Sequence, residues 1–200
     1  AAGLSTGGGD DKVTLGSGAE MTGNIALGAG TNTLIVQKDA EMTGTIVFAD
    51  DSVNTVTVNG AVMGFSGGNS STSNTIVLNG DAIRGGGVGY WTEQNVLLNP
   101  GTGSEYWTTV QVFTVRDLDL TGGTGNDTVT LNNNSFVNNI YLGAGDDKLT
   151  VNKGANIGYD YVSSAVSTNG GLNFGNRIDA TIDLGTGNDV LVLNTELGNN

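Results

Sequence analysis

Thr6–Leu27 reads TGGGDDKVTLGSGAEMTGNIAL and Leu27–Phe48 reads LGAGTNTLIVQKDAEMTGTIVF. Shifted by 21 positions, the two segments share Gly7/Gly28, Gly9/Gly30, Ala19/Ala40, Glu20/Glu41, Met21/Met42, Thr22/Thr43, Gly23/Gly44 and Ile25/Ile46. A period of this length constrains the fold more than any other feature of the chain, because a unit of that size cannot bury its own apolar edge and must stack on its neighbours. The register runs on through the residue that closes each short apolar run: Gly16, Gln37, Asn59, Asn79, Asn99, Asn132, Asn152, Asn173 and Asn194. Its one irregular interval, Asn99 to Asn132, begins beside the sole proline, Pro100.

Within each unit the apolar period is two. Val13-Leu15, Val56-Val58, Val129-Leu131, Leu149-Val151 and Leu191-Leu193 mark one strand, and Ile25-Leu27, Ile46-Phe48, Ile140-Leu142 and Ile182-Leu184 mark a second before a glycine turn. The expected fold is all-β, a parallel β-helix (β-solenoid) of about ten rungs of 20–22 residues. It would form one domain over 1–200, with a loop insertion near 100–109 and a degenerate repeat or loop at 159–176. In-register stacking would place the recurrent asparagines in one column. There they would tolerate left-handed backbone and pass amide hydrogen bonds from rung to rung. A β-sandwich also has frequent glycine turns, but nothing in a sandwich demands repetition at 21 positions.

Composition removes several functions. The net charge of −13 with seven basic residues repels phosphate backbones, so no nucleic-acid partner is expected. The absence of cysteine and histidine excludes thiolate and imidazole metal sites and Ser-His or Cys-His nucleophiles, which leaves oxygen-liking cations. No apolar run reaches the roughly 18 residues of a membrane span.

Four turns repeat a glycine–aspartate theme: TGGGDDKVT (6–14), TGGTGNDTVT (121–130), LGAGDDKLT (142–150) and LGTGNDVLV (184–192). Gly122–Thr130, GGTGNDTVT, matches the nonapeptide G-G-x-G-x-D-x-U-x and so resembles the RTX calcium-binding β-rolls. The other turns depart at the first glycine, and Thr31-Asn32 and Val53-Asn54 replace the aspartate. RTX rolls repeat every nine residues, whereas one such turn occurs here per rung, so the resemblance implies a wider helix with one calcium-type edge. A more general likeness to bacterial surface adhesins and autotransporter passengers implies an extracellular, cell-surface location.

Stacked one rung apart, Asp127 and Asp147 would repel by roughly 3 kcal/mol at an effective dielectric near 20. One Ca²⁺ between the turns, taking carboxylate and carbonyl oxygens, would reverse that sign. The resemblance implies Asp127 and Asp147 as ligands, with Asp146, Gly125 and Gly145 in the same turns and Asp189 and Asp11 at turns with weaker neighbours. Solvated turns alone would also use aspartate and glycine.

Two further features bear on function. Tyr90-Trp91 and Tyr106-Trp107 flank the insertion and are the expected contact for a glycan or host surface, unless they only cover the rod where the loop leaves it. Arg116, Asp117 and Asp119 would suit a carbohydrate-active β-helix enzyme if a cleft held them. The favoured expectation is a non-enzymatic structural protein. No cap helix or proline-broken segment is apparent at either end of the repeat. Open rungs would then stack on other copies of the chain, giving a filament, matrix or surface layer, or continue a longer solenoid.

Overall fold

The computed structural model describes residues 3–66, 72–80, 86–88, 90–98, 106–114, 119–158, 161–163 and 180–194. All regular elements among them are strands. The first coil carries β1 (Leu4–Ser5), β2 (Lys12–Leu15) and β3 (Glu20–Thr22), and β4 (Ile25–Leu27) stacks on β1 to begin the second. Longer strands follow: β5 (Gly30–Val36), β6 (Glu41–Phe48), β7 (Ser52–Val58), β8 (Ala61–Ser66) and β9 (Ser73–Leu78). Next come β10 (Gly86–Val88), β11 (Tyr90–Leu98), β12 (Tyr106–Thr114) and β13 (Asp119–Gly123). The remainder are β14 (Thr128–Leu131), β15 (Ser135–Val137), β16 (Asn139–Gly143), β17 (Lys148–Val151), β18 (Asn156–Ile157), β19 (Tyr161–Ser163), β20 (Ile182–Asp183) and β21 (Val190–Leu193).

All of these except β11, β12 and β19 stack in parallel. One sheet runs β2-β5-β7-β9-β14-β17-β21, and a second runs β1-β4-β6-β8-β10-β15-β18 with β3 beside β6. A third, β13-β16-β20, forms another face of the later coils. The all-β parallel solenoid is therefore present, but its longest stack is seven strands deep rather than ten.

Two inward columns build the core. Val13, Leu34, Val56, Ile76, Val129, Leu149 and Leu191 are in register, as are Leu15, Val36, Val58, Leu78, Leu131, Val151 and Leu193. The period-two apolar pattern puts both columns on one face, and their β-branched and leucine side chains fill the coil. Leu34 through Val151 are buried in both columns, whereas Leu191 and Leu193 on the last described strand are each 43% exposed. Ile76→Ala, in mid-column and fully buried, should cost about 3–4 kcal/mol by urea unfolding. Val53→Ala, at a position 53% exposed on the neighbouring rung, should change stability by less than about 0.5 kcal/mol.

The asparagine column forms with a different membership from the one expected. Asn79 Nδ2 donates to Asn59 Oδ1 at 2.9 Å, Asn132 to Asn79 at 2.8 Å, Asn152 to Asn132 at 2.8 Å and Asn194 to Asn152 at 2.7 Å. Asn99 and Asn173 lie outside the described residues; β9 pairs directly with β14, and β17 with β21. Seven of the nine register positions named from the sequence therefore follow strands of this stack. The left-handed backbone also sits elsewhere, two residues past the ladder position, at Gly18, Asp39, Asn134 and Gly154. The ladder residues Gly16, Gln37, Asn132 and Asn152 instead accept from the backbone N–H three residues on, which closes the corner.

Around the insertion expected near 100–109, β11 and β12 form an antiparallel hairpin, and β19 pairs antiparallel with β12. Beyond the backbone of Tyr161–Ser163, the 159–176 segment lies outside the described residues. No helix among the described residues is long and apolar enough to cross a membrane.

Candidate functional site

Each coil brings one residue to the entry of the first sheet, just before β2, β14, β17 and β21 and within the first three residues of β5, β7 and β9. Register places Asp11, Asn32, Asn54, Asn74, Asp127, Asp147 and Asp189 there, one above another. Asn32, Asn54, Asn74, Asp127 and Asp147 are between 0% and 1% exposed, so this is a polar file sealed inside the wall of the rod.

Its upper half is an amide ladder. Asn32 Nδ2 donates to Asn54 Oδ1 at 3.1 Å, and Asn54 Nδ2 donates to Asn74 Oδ1 at 2.9 Å and to Ser52 Oγ at 2.8 Å. Asn74 then gives both its backbone N–H (2.7 Å) and its Nδ2 (2.9 Å) to Asp127 Oδ1. Below this point only acids remain. Asp127 N–H donates to Asp147 Oδ1 at 2.7 Å, and Asp147 N–H to Asp189 Oδ1 at 3.0 Å.

Each buried acid is thus held by one oxygen. The second oxygens, Asp127 Oδ2 and Asp147 Oδ2, are buried without a hydrogen-bond partner. Burial pushes the Asp127 carboxyl up to about 7, helped by the charge of Asp147 and opposed by the Asn74 backbone and side-chain donors and the Gly123 backbone. Asp147 is raised as well, first by burial, with the Asp127 N–H opposing and the charges of Asp189 and Asp146 adding.

Gly122 explains how so large a group fits. The same position in other coils is held by Leu27 and Leu142, whose side chains are buried. Gly122 has no side chain, and a Cβ there would overlap Asp127 Oδ2 while lying 2.5 Å from the Leu142 carbonyl oxygen. Two oxygens from adjacent rungs therefore converge on one small cradle. Among the described residues no three His, Cys, Asp or Glu side chains group to hold a metal. An ion here would draw on Asp127, Asp147, backbone carbonyls and water, an all-oxygen set that suits Ca²⁺.

The remaining expected ligands are distributed differently. Asp146 stands in a parallel, exposed file: its N–H donates to Asn126 Oδ1 at 2.8 Å, and its own Oδ1 accepts from Asn188 N–H at 2.9 Å. Gly125 and Gly145 stack so that the Gly125 carbonyl faces Gly145. Asp189 closes the described file, and Asp11 opens it with Oδ2 buried and unpartnered. Asn32 and Asn54, where the acid seemed lost, belong to the same file, as does Asn74. The recurring Asn/Asp-Thr dipeptides at 32–33, 54–55, 74–75 and 127–128 were the sequence signal for it.

Backbone register sets the aromatic pairs apart along the two strands. Trp91 pairs with Phe113 at one end of the hairpin, and Trp107 pairs with Leu97 beside its turn. Of the residues considered for catalysis, Arg116 and Asp117 lie outside the described residues, and Asp119 Oδ1 accepts from Asn139 Nδ2 at 2.8 Å. No protein-family model, curated protein or solved structure gives a significant match to this chain.

Proposed function

We propose that this chain is a non-enzymatic structural protein: an extracellular, bacterial-surface β-solenoid rod whose glycine–aspartate edge is stiffened by Ca²⁺. The observation that carries the reading is the pair of buried carboxylate oxygens without a donor, one of them converging with the Leu142 carbonyl beside Gly122. Burying an acceptor without a partner is unfavourable, and a second acid one rung away makes it worse. A divalent ion satisfies both groups at once and joins consecutive coils. Asp127 and Asp147 would hold it, with Asp189 below them.

The same reading extends to assembly. Leu191 and Leu193 continue the columns that earlier rungs bury, yet each is 43% exposed. A rung from a second copy would continue those columns, giving a filament, matrix or surface layer. A second reading, an adhesin that contacts glycan or host surface through Tyr90, Trp91, Tyr106 and Trp107, is favoured by the hairpin departing from the stack. Loss of target binding in a folded Trp91→Ala/Trp107→Ala double variant would mark that role.

The deciding experiment is a thermal melt in Ca²⁺ and in EGTA, followed by electron microscopy of both samples. At about a hundred times its dissociation constant, an ion that binds only the folded state adds about 2.7 kcal/mol. For a chain of this size that is a rise of about 5–10 °C. Superimposable melts would remove the ion from the reading. Particles that stay monomeric at high protein concentration would remove the filament.

A further inference from the structure

The buried file has a second junction without a side-chain donor, at its opposite end. Asn32 Nδ2 donates to the Gly28 carbonyl at 2.6 Å and to Asn54 Oδ1 at 3.1 Å. Both partners are acceptors, so only the nitrogen can stand on that side, and the orientation of the amide is fixed. Its Oδ1 is left buried and unpartnered on a side chain that is 0% exposed.

The neighbouring rung makes no hydrogen bond to Asn32 Oδ1. Lys12 pairs with Thr33, whose N–H donates to the Asp11 carbonyl at 2.8 Å, so Asp11 is the file's member beside Asn32. Asp11 Oδ2 is likewise buried with no partner. Lower in the file, the junctions from Asn32 through Asn54 and Asn74 to Asp127 each contain an N–H, and the amides all point their hydrogens toward Asp127. Their oxygens therefore point toward Asp11, so the ladder's negative end meets a carboxylate. Strand alternation turns Lys12 to the outer face, where it is exposed.

We infer that the Asp11–Asn32 junction is a separate seat for a hard divalent cation, completed by an amide oxygen where the Asp127–Asp147 seat uses a second carboxylate. This deepens the cation reading above by adding a chemically distinct site. Amide and carboxylate oxygens are ordinary Ca²⁺ ligands, and water fills the remaining positions. With one acid instead of two, this seat binds more weakly.

The test is equilibrium dialysis of the full chain against CaCl₂, with melts in EGTA, for the parent, Asp11→Asn and Asp127→Asn. Asp11→Asn should bind one ion fewer than the parent. It should also melt about 2–4 °C higher in EGTA, because the new amide gives Asn32 Oδ1 the donor it lacks. Asp11→Ala, which removes the oxygens without adding a donor, should lose the same ion without that gain. An unchanged ion count in Asp11→Asn overturns the inference, and a higher melting temperature alongside it assigns the gap to water or a shared proton. If Asp127→Asn loses an ion while Asp11→Asn keeps the full complement, the seat proposed earlier stands and this one falls. The reverse pattern retains this seat alone, and a parent that binds no Ca²⁺ ends both.

Discussion

Gly145→Ala should be among the most damaging single substitutions in the chain, lowering stability by about 4 kcal/mol or more. Two costs coincide at this position. Its φ of +136° lies where a residue with a side chain is strained, and the new Cβ would sit 2.5 Å from the Gly125 carbonyl of the adjacent rung. The obstacle is backbone held by the stack on both sides, so it has no rotamer with which to give way. Gly18→Ala supplies the control. Its φ is +69°, and nothing lies within 4 Å of the added methyl, so only the left-handed penalty of about 1–2 kcal/mol applies. Urea unfolding of the two variants separates crowding from dihedral strain. Equal losses would mean that the turns are not packed rung against rung.

The second large effect concerns pH. With a folded-state value of about 7 against an ordinary 3.8, Asp127 keeps a proton in the folded chain that the unfolded chain has already released. Its contribution is therefore fully present below pH 3.8 and is lost as pH rises through about 7. Three pKa units correspond to about 4 kcal/mol. Asp147, raised in the same direction, adds to the slope. In EGTA the chain should be markedly more stable at pH 5 than at pH 8. Saturating Ca²⁺, which favours the ionised form, should flatten or reverse the trend. Asp127→Asn should abolish most of the slope in EGTA, since the amide has no proton to lose and can donate toward Asp147. A slope that survives in Asp127→Asn would assign the titration to another group.

Much of the stack is legible in the sequence. The pairing of Glu20, Met21 and Thr22 with Glu41, Met42 and Thr43 is the 21-residue repeat made physical. The two inward columns are the period-two pattern read vertically. Asp127 above Asp147 followed from the same register. Asn99 and Asn173 show what such a pattern misses. Each closes an apolar run as Asn79 and Asn152 do, but membership depends on which strand the next one meets in space. The alternation of an antiparallel hairpin such as β11–β12 reads like that of a stacked strand.

The candidate site was half legible for a chemical reason. A change from aspartate to asparagine looks like loss of a cation ligand when only charge is counted. In the structure Asn32, Asn54 and Asn74 keep the acceptor and add a donor, so the file continues in neutral form. The inward turn of the Asp127 carboxyl depended on the missing side chain at Gly122, a relation between neighbouring positions that spacing alone does not express.

The direct handover from Asn79 to Asn132 spans 53 positions in sequence and a single step in space. Lengthening such an excursion is thermodynamically cheap, because each doubling of a flexible loop adds only about 0.6 kcal/mol of closure entropy. Foreign cargo grafted between β11 and β12, which stand outside the parallel sheets, would hang from the shaft without disturbing the side chains that hold it together. The architecture is thus a display pole whose pennants can be exchanged while the mast stays the same.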